Sequence, residues 1–460
     1  MGDPLIVRVA LLSLFAVSCA AHNASPSQRP SDPADTVELA QSFPAETTLA
    51  DPSLRTAREV WLEMIRGATR TIDIEQFYVA SKPGESLEAV LDALNSAGRR
   101  GVRVRLIVSK MLAHEDPATL DRIRRIPGAL VRILDLKPLV GGIQHAKLWV
   151  VDGRLAFVGS QNLDWRSLTH ILELGVRVSE PEIIRQLSEI FEVDWELALR
   201  PTDRPAWPAV TRPRLTGQPI ELVASPPGIT PPAIRPALDA LLDLVRHARR
   251  RIRFQLLSYS IVGRAKGTTW RVIDDALRDA AKRGVKIDII VSDWNTTRTD
   301  LPTLRALSAV PNVTLKVASI PQTARGFIPF ARVVHSKFMV VDDAILWLGT
   351  SNWSEKYFTA SRNVELIFRR VDLATKANEI FERLGRSPYA APFDPAKDYV
   401  PPRRASAALL SRPSLYPSLV SFRALTQKTS TSFSPLFRAS TAAESRSPPR
   451  APSDSPRPLP

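Results

Sequence analysis

Hydrophobic and polar positions along the chain follow two patterns, one typical of amphipathic helices and one typical of buried strands. Apolar residues at helical spacing around Leu91 and Leu94 stop at Gly101, and the apolar run 102–108 follows at once. Glycine favours the end of a helix because it adopts the left-handed conformation without steric cost. Helices that alternate with short apolar strands are typical of the α/β class, so the pattern predicts an α/β fold.

The same pattern occurs twice. Residues 68–72 (Ala-Thr-Arg-Thr-Ile) match residues 248–252, 180 positions later, and the unit of helix, glycine and strand recurs 183 positions later at 285–291. A slowly growing offset is what a duplicated domain with loop insertions produces. We therefore predict two repeats, residues 51–199 and 218–395, packed together as a pseudo-dimer of mixed sheets flanked by helices.

Three segments are rich in Pro, Ser and polar residues. Residues 20–50 lack apolar periodicity and are predicted to form a flexible tether, and residues 200–217 are predicted to link the two repeats. From residue 396 to residue 460 the chain is dominated by Pro, Ser, Arg and Thr, and too little apolar surface is available for folding. This tail is predicted to be disordered.

The N-terminal segment is typical of an export signal. Its apolar run, residues 9–17, is shorter than the roughly 20 residues that cross a bilayer. Ala16-Val17-Ser18-Cys19 resembles a bacterial lipobox, which predicts a signal peptide over 1–19, a lipid on Cys19 and an exported, membrane-anchored lipoprotein of the bacterial cell envelope. A plain cleaved signal peptide and an N-terminal helix of a cytoplasmic protein are the alternatives. Because Cys19 is the only cysteine, disulfides and cysteine-based zinc sites are excluded.

The net charge is positive, but much of it lies in the tail. Of the formal +15, residues 403–460 contribute +7, since they hold nine Lys or Arg against Glu444 and Asp454. A basic surface suits a phosphate-bearing partner of any kind and does not distinguish a lipid headgroup from a nucleic acid. No protein partner is inferred.

Each repeat contains one copy of a motif that carries chemistry. The motif is His-x-Lys-x(4)-Asp, followed by Gly-[Ser/Thr]-x-Asn and then by a glutamate. The histidine precedes the asparagine by 17 residues in both copies, and it precedes the glutamate by 28 and 30 residues. The candidate catalytic residues are His145, Lys147, Asp152, Glu173, His335, Lys337, Asp342 and Glu365, and the candidate phosphate-binding residues are Ser160, Asn162, Thr350 and Asn352.

Strand periodicity places these side chains together. In a strand, residues i and i+2 share a face, so His145 and Lys147 point the same way. Asp152-Gly153 is a strong signal for a tight turn between two short apolar strands. The resulting hairpin returns Asn162 to the level of His145.

The residue types fit attack on a phosphodiester. That reaction needs a nucleophile, a proton donor for the leaving oxygen and positive charge at the phosphoryl group. Two histidines can supply the first two functions, and two lysines and two asparagines can supply the third. A carboxylate behind each histidine fixes its tautomer, and Glu173 and Glu365 are the candidates. The set needs no cofactor, and no cluster of carboxylates or histidines predicts a metal site.

These paired motifs resemble those of the phospholipase D superfamily over roughly residues 55–395. The segments 159–169 and 349–359 are similar to the animal endolysosomal branch, whose members are exonucleases on single-stranded nucleic acid, and to its poxvirus relatives. The resemblance implies a phosphohistidine intermediate, with His145 as the nucleophile and His335 as the general acid. The second repeat lacks the Asp-Trp pair of the first, Asp194-Trp195, which the family tends to keep.

The substrate stays open at this point. The function predicted is a metal-independent phosphodiesterase on single-stranded nucleic acid or, alternatively, a phospholipase D or phosphatidyl transferase on membrane lipids. A non-catalytic lipoprotein that binds phosphate or membranes is the alternative from another class. The aromatic residues Tyr78, Trp165, Trp353 and Tyr357 are candidates for stacking on bases, although such positions often belong to the core.

Overall fold

The computed structural model describes residues 36–207 and 216–402 of the 460-residue chain. The predicted signal peptide with Cys19, the middle of the predicted linker and the predicted tail beyond residue 402 lie outside the described residues. In the two described ranges, no helix is both long and apolar enough to cross a membrane.

The first half of the chain folds around a mixed sheet. Its strands are β1 (Val37–Ser42), β2 (Thr71–Gln76), β3 (Val79–Ala80), β4 (Arg103–Ser109), β5 (Leu130–Leu134), β6 (Leu148–Val151), β7 (Leu155–Gly159), β8 (Leu163–Asp164) and β9 (Glu173–Val178). Seven of them form one sheet in the order β1-β9-β7-β6-β2-β4-β5, and β3 pairs with β8. Strands β2, β4 and β5 run parallel to one another, and the other neighbours in the large sheet are antiparallel.

The second half repeats this arrangement. Its strands are β10 (Ile220–Ser225), β11 (Arg235–Pro236), β12 (Arg251–Leu256), β13 (Lys286–Ser292), β14 (Val313–Ala318), β15 (Phe338–Val341), β16 (Ile345–Gly349), β17 (Asn363–Phe368) and β18 (Ala390–Pro392). The order β10-β17-β16-β15-β12-β13-β14 copies the seven strands of the first sheet, with β11 and β18 added at the two edges. The predicted fold, two repeats of mixed sheet and helix, is confirmed.

Helices flank both sheets. They are α1 (Ala57–Gly67), α2 (Glu88–Arg99), α3 (Pro117–Arg124), α4 (Lys137–Val140), α5 (Trp165–Thr169), α6 (Pro181–Leu197), α7 (Ala237–His247), α8 (Val272–Lys282), α9 (Leu301–Ser308), α10 (Glu355–Thr359) and α11 (Val371–Arg386). The predicted glycine stops lie just beyond α2 and α8, where Gly101 and Gly284 have φ values of +88° and +91°.

The predicted hairpin forms in both repeats. In the first, β6 and β7 pair antiparallel on either side of Asp152 and Gly153, which have φ values of 55° and 63°. In the second, β15 and β16 are joined by Asp342 and Asp343, with φ values of 53° and 59°. Positive φ at both turn residues matches the right-handed twist of the two strands.

Strand β1 corrects the predicted tether. Residues 20–50 were predicted to be flexible, whereas residues 37–42 form the edge strand that pairs with β9. Val37 and Leu39 alternate with more polar neighbours and bury their side chains in the core. A single six-residue strand between polar segments gives too short a periodicity to stand out, and its partner β9 lies more than a hundred residues away.

The two halves are joined through the backbone as well as through side chains. The amide of His145 donates to the carbonyl of Arg362 at 3.0 Å, and the amide of His335 donates to the carbonyl of Leu172 at 2.8 Å. One continuous apolar core takes residues from both sheets and from α6 and α11. The segment that precedes each motif histidine is therefore held by the other repeat.

Candidate active site

The two motif histidines lie at the junction between the repeats. His145 and Lys147 precede β6, and His335 and Lys337 precede β15, so each pair enters its strand from the same end. Both lysines are buried, and each ammonium donates to the carbonyl of its own histidine, at 2.6 Å in the first repeat and 2.5 Å in the second. The structure thus brings the four predicted residues together.

Each imidazole is held by a side chain from the opposite repeat. Nδ1 of His335 lies 3.1 Å from Oε1 of Glu173, and Nδ1 of His145 lies 2.9 Å from Oδ1 of Asn363. Glu173 opens β9 and Asn363 opens β17, and each stands 28 positions after the histidine of its own repeat. The two supports are equivalent in position but differ in chemistry.

This pairing corrects the prediction for Glu365. Glu365 was expected behind a histidine, whereas it lies two residues further along β17, opposite Gly349, and accepts a hydrogen bond from the hydroxyl of Ser351. Burial raises its pKa to about 8. The prediction paired the two glutamates by residue type. The residue 28 positions after His335, which is equivalent to Glu173 by spacing, is Asn363.

The first repeat fills the same space in another way. Gly175 stands where the second repeat has Glu365, and Gln161 stands where it has Ser351. A Cβ added at Gly175 would come within 2.7 Å of the Gln161 amide oxygen. The same space is therefore filled by Glu365 from β17 in the second repeat and by Gln161 from the loop before β8 in the first. Glu365 thus serves to fill this space in the second repeat.

The predicted phosphate-binding residues divide into two groups. Asn162 and Asn352 are buried, and the side-chain oxygen of each has no hydrogen-bond partner among the described residues. Buried polar groups are normally satisfied, so the matching unpaired oxygens mark an unusual pair of positions. Because an amide oxygen only accepts, a phosphoryl oxygen would be bound by the NH2 group of the same side chain. Ser160 and Thr350 are instead occupied: their hydroxyls donate toward Glu173 at 3.5 Å and to Asn363 at 3.1 Å. These hydroxyls support the residues behind the histidines.

The two motif aspartates lie away from the site, which corrects their predicted catalytic placement. The carboxylate of Asp152 accepts hydrogen bonds from the amides of Thr69, Arg70 and Thr71 at 2.7–2.9 Å, and Asp342 binds the equivalent segment of the second repeat. Five strand positions separate Asp152 from Lys147, a distance of about 16 Å. These aspartates tie the hairpin turn to the start of the neighbouring strand.

Aromatic rings surround His145, and the sequence reasoning found only one of them. The rings of Phe77 and Tyr357 lie with their centroids 5.0 Å and 4.9 Å from the imidazole. Trp353 is fully buried and belongs to the core, and Trp165 is 9% exposed. Phe77 was missed. It directly follows β2, and its position at the end of a strand is the signal by which the sequence could have identified it.

The electrostatics show a site that is short of negative charge. Burial, reinforced by the two lysines, lowers the pKa of both His145 and His335 well below the ordinary value. Burial also lowers the pKa of Lys337 to about 7 and that of Lys147 well below its usual range. An anion bound between the lysines would reverse these shifts, because it favours the charged forms.

Glu173 gives the second histidine a proton that the first does not have. Burial raises the pKa of Glu173 to about 8, although Lys337 and Lys147 oppose the shift. At neutral pH the Glu173–His335 pair therefore holds one more proton than a carboxylate and a neutral imidazole. Asn363 can only accept the Nδ1 proton of His145, so the His145–Asn363 pair is not a proton store. Among the described residues, no group of three or more His, Cys, Asp or Glu side chains is arranged to hold a metal ion.

Known proteins match both repeats. The family model described as Cardiolipin synthase, PLD-like domain matches residues 61–195 and 241–385. The chain is 34% identical to the 5'-3' exonuclease PLD3 of Bos taurus over 82% of this chain and 85% of that protein. It is 31% identical to Phospholipase D Z of Dictyostelium discoideum over 77% of this chain and 90% of that protein.

A solved structure supports the fold alone. Phosphatidylserine synthase from Haemophilus influenzae aligns with a TM-score of 0.53, over 73% of this chain and 85% of that protein. The two sequences are 11% identical, so the likeness concerns the arrangement of strands and helices.

Proposed function

The chain belongs to the phospholipase D superfamily and is a phosphodiesterase, and on that premise we propose that it degrades single-stranded nucleic acid through a phosphohistidine. The observation that carries the proposal is the pair of histidines, each held by the opposite repeat, beside two buried lysines. The ammonium group of each lysine donates to a backbone carbonyl. Among the described residues, no carboxylate lies within hydrogen-bonding distance of either lysine.

His145 is proposed as the nucleophile. Its Nδ1 proton is held by Asn363 at 2.9 Å, so the lone pair of this tautomer is on Nε2. The low pKa of His145, caused by burial, keeps that lone pair unprotonated at neutral pH. Nε2 forms the bond to phosphorus while the bond from phosphorus to the leaving oxygen breaks.

His335 is proposed as the general acid, with Glu173 behind it. The proton that this pair holds passes from Nε2 of His335 to the leaving oxygen. In the second step neutral His335 takes a proton from water, and the water oxygen displaces His145 from phosphorus. The proton taken from water replaces the proton given to the leaving oxygen, so the Glu173–His335 pair returns to its starting state.

The lysines and asparagines are proposed to bind the phosphoryl oxygens. Lys147 and Lys337 are buried and compensate the charge that builds up on the equatorial oxygens. The side-chain NH2 groups of Asn162 and Asn352, both buried, are proposed to donate hydrogen bonds to the phosphoryl oxygens. The groups named here need no metal ion for the reaction.

The substrate class rests on the relatives and on the aromatic rings. Curated relatives at 31–34% identity carry the name 5'-3' exonuclease. The rings of Phe77 and Tyr357 beside His145 offer surfaces on which bases can stack. The second candidate is phospholipid hydrolysis or phosphatidyl transfer, which the likeness to Phospholipase D Z favours. A phosphate- or membrane-binding lipoprotein without activity is the third, and the completeness of both motifs counts against it.

A side-by-side assay tests the proposal. Purified protein is given a labelled single-stranded oligonucleotide and phosphatidyl lipids, with EDTA present. We expect cleavage of the oligonucleotide and its loss in His145→Ala. Exclusive turnover of lipid would select the second candidate, and no turnover of any phosphodiester by well-folded protein would leave only the third.

A trapping experiment tests the two histidine roles. Quenching turnover with SDS at alkaline pH, where the P–N bond survives, should retain label on the protein in His335→Ala, because the phosphohistidine forms but is not hydrolysed. The label should be absent in His145→Ala. The opposite pattern would reverse the assignment of nucleophile and acid.

We also propose that the enzyme is exported and that Cys19 carries a lipid, as the sequence 16–19 predicts. Such an anchor would hold the enzyme at a membrane, and it suits either substrate. Mass spectrometry of the mature N-terminus tests this, since processing before Cys19 with added acyl mass supports it. An unmodified N-terminus elsewhere contradicts it.

A further inference from the structure

A cleft of about 850 Å³ opens between the two repeats beside the active site. One wall is Gly141, at the end of α4 in the first repeat, and the other is the loop around residues 262–270 with the start of α10 in the second repeat. Its size is in the range of ligand-binding pockets, roughly 300–1,000 Å³. Neither motif includes any residue of this cleft.

The cleft wall is an insertion present in one repeat only. The connection from β12 to α8 covers residues 257–271, whereas the equivalent connection from β2 to α2 covers only residues 77–87. The longer connection folds back on itself, since the amide of Gly263 donates to the carbonyl of Thr268 at 2.8 Å and the amide of Trp270 donates to that of Ile261 at 2.7 Å. The longer loop thus supplies the part of the cleft wall that comes from the second repeat.

Positive charge is concentrated at the cleft. Arg264 and Lys356 line the cleft and are exposed, and the exposed Lys137 lies near enough for its charge to act on Lys356. Among the described residues, no side-chain acceptor pairs with the ammonium of Lys137 or Lys356. Partial burial and the charges of Arg264 and Lys137 lower the pKa of Lys356. The one acidic residue in the lining, Glu355, accepts a hydrogen bond from the backbone amide of Arg264 at 2.7 Å. Cations that repel one another create a position for an anion.

Short chain segments connect the cleft to the nucleophile. Lys356 is followed by Tyr357, whose ring lies 4.9 Å from the imidazole of His145. From Gly141 the chain reaches His145 in four residues, and a guanidinium nitrogen of Arg264 lies 3.4 Å from the carbonyl of Val140. The cleft and the nucleophile are therefore linked by two short chain segments, one from Lys356 to Tyr357 and one from Gly141 to His145.

The half-buried Trp270 adds an aromatic surface to the lining and stacks on Phe358 with centroids 6.3 Å apart. Cations that follow a backbone, together with a ring on which a base can stack, are typical of single-strand binding. We propose that this cleft binds a second phosphate of a single-stranded oligonucleotide, with its base against Trp270, and so selects polynucleotides over substrates with one phosphate. The proposal rests on the nuclease function proposed above.

Charge removal in the cleft tests the proposal. The double variant Lys137→Gln/Lys356→Gln is compared with a matched control, Arg103→Gln/Lys286→Gln, which removes two exposed cations at the opposite ends of the sheets. We expect about a tenfold rise in KM for a labelled oligonucleotide in the cleft variant and none in the control. The binding of the oligonucleotide to the cleft variant should also depend less on salt. The slope of log binding constant against log salt concentration should fall by about 0.7 for each phosphate that the variant no longer neutralises.

Two small substrates separate binding from damage to the site. A dinucleotide with one phosphate and bis(p-nitrophenyl) phosphate do not reach the cleft, so the cleft variant should keep its kcat/KM on both. Equal losses on all substrates would show that the lysines only support α4 and α10, and an unchanged KM for the oligonucleotide would refute the cleft as a phosphate site.

A binding measurement keeps this proposal distinct from the nuclease function. In the His145→Ala background, fluorescence anisotropy of the labelled oligonucleotide should show weaker binding when Lys137 and Lys356 are replaced. If wild-type protein cleaves no oligonucleotide, the proposed function fails, whatever the anisotropy shows. If the replacements weaken binding to anionic lipid vesicles and not to the oligonucleotide, the cleft proposal is refuted in favour of a membrane surface.

Discussion

Replacing Glu173 by glutamine tests the division of work between the two histidines. The substitution keeps the shape of the side chain and leaves an oxygen 3.1 Å from Nδ1 of His335. It removes the group whose pKa burial raises to about 8, and with it the extra proton of the pair. His335 then resembles His145, whose ring is held by the amide of Asn363.

The expected magnitude follows from the function that is lost. A positioned general acid contributes about 10²–10⁴ in rate. Because His335 stays in place with its tautomer fixed, we expect the lower end, about a hundredfold in kcat on an oligonucleotide, or about 2.7 kcal/mol of barrier. On bis(p-nitrophenyl) phosphate in the pre-steady-state burst the loss should be under about tenfold, because its weakly basic leaving group needs little protonation.

The pH dependence gives a second measurement. The acid form of the pair is present below pH 8 and is lost as the pH rises through the pKa of about 8 of Glu173. The kcat/KM of wild-type protein, which reports the pKa values of the free enzyme, should therefore fall above about pH 8. In Glu173→Gln the falling limb should move below pH 7, because His335 alone has a pKa lowered by burial and by the two lysines.

Glu365→Gln is the matched control. Glu365 is equally buried and has its pKa raised to about 8 by burial, but it contacts Ser351 and no histidine. Its substitution should leave the pH limb in place. Equal losses on the two substrates in Glu173→Gln, with an unmoved limb, would refute the assignment of the acid.

Three further predictions concern other side chains. Asn363→Asp places a carboxylate 2.9 Å from the nucleophile, so the rising limb of kcat/KM should shift to higher pH as the pKa of His145 increases. Asp194→Leu leaves the buried Arg362 with only neutral acceptors, on Ser225, Ile229 and Thr230, and should cost about 3–5 kcal/mol in urea unfolding. Asp152→Ala should cost about 3 kcal/mol at pH 7 and progressively less below about pH 4. The sign follows because hydrogen bonds to the backbone and side chain of residues 69–71 outweigh burial and lower the pKa of Asp152 in the folded state.

The sequence predicted what local periodicity and spacing determine. The hairpin around Asp152 and Gly153 follows from a pattern within one repeat. The duplicated α/β fold and the meeting of His145 with His335 follow from the recurrence of that pattern at a nearly constant offset. Strand β1 was missed because six residues of alternation do not stand out from a polar flank.

Contacts between the repeats were beyond that reasoning. The sequence offered Glu173 and Glu365 as supports without saying which histidine each one holds, and because the backbone crosses between the repeats, Glu173 contacts His335. The missing Asp-Trp of the second repeat has a similar explanation. Asp194 binds the buried Arg362 at 2.7 Å, while the equivalent positions of the other repeat are the apolar residues Leu384 and Leu172. No pattern within one repeat reveals such a partner.

The exchange of supports between the repeats also sets when the enzyme becomes active during its synthesis. Asn363, which holds the ring of His145, is translated 218 residues after it. At about 5–20 residues per second, a ribosome needs roughly 10–45 s to cover that distance. Throughout this interval the emerging chain carries a histidine and a lysine without their counterparts. The complete set of catalytic groups is thus assembled only when the second half has folded onto the first.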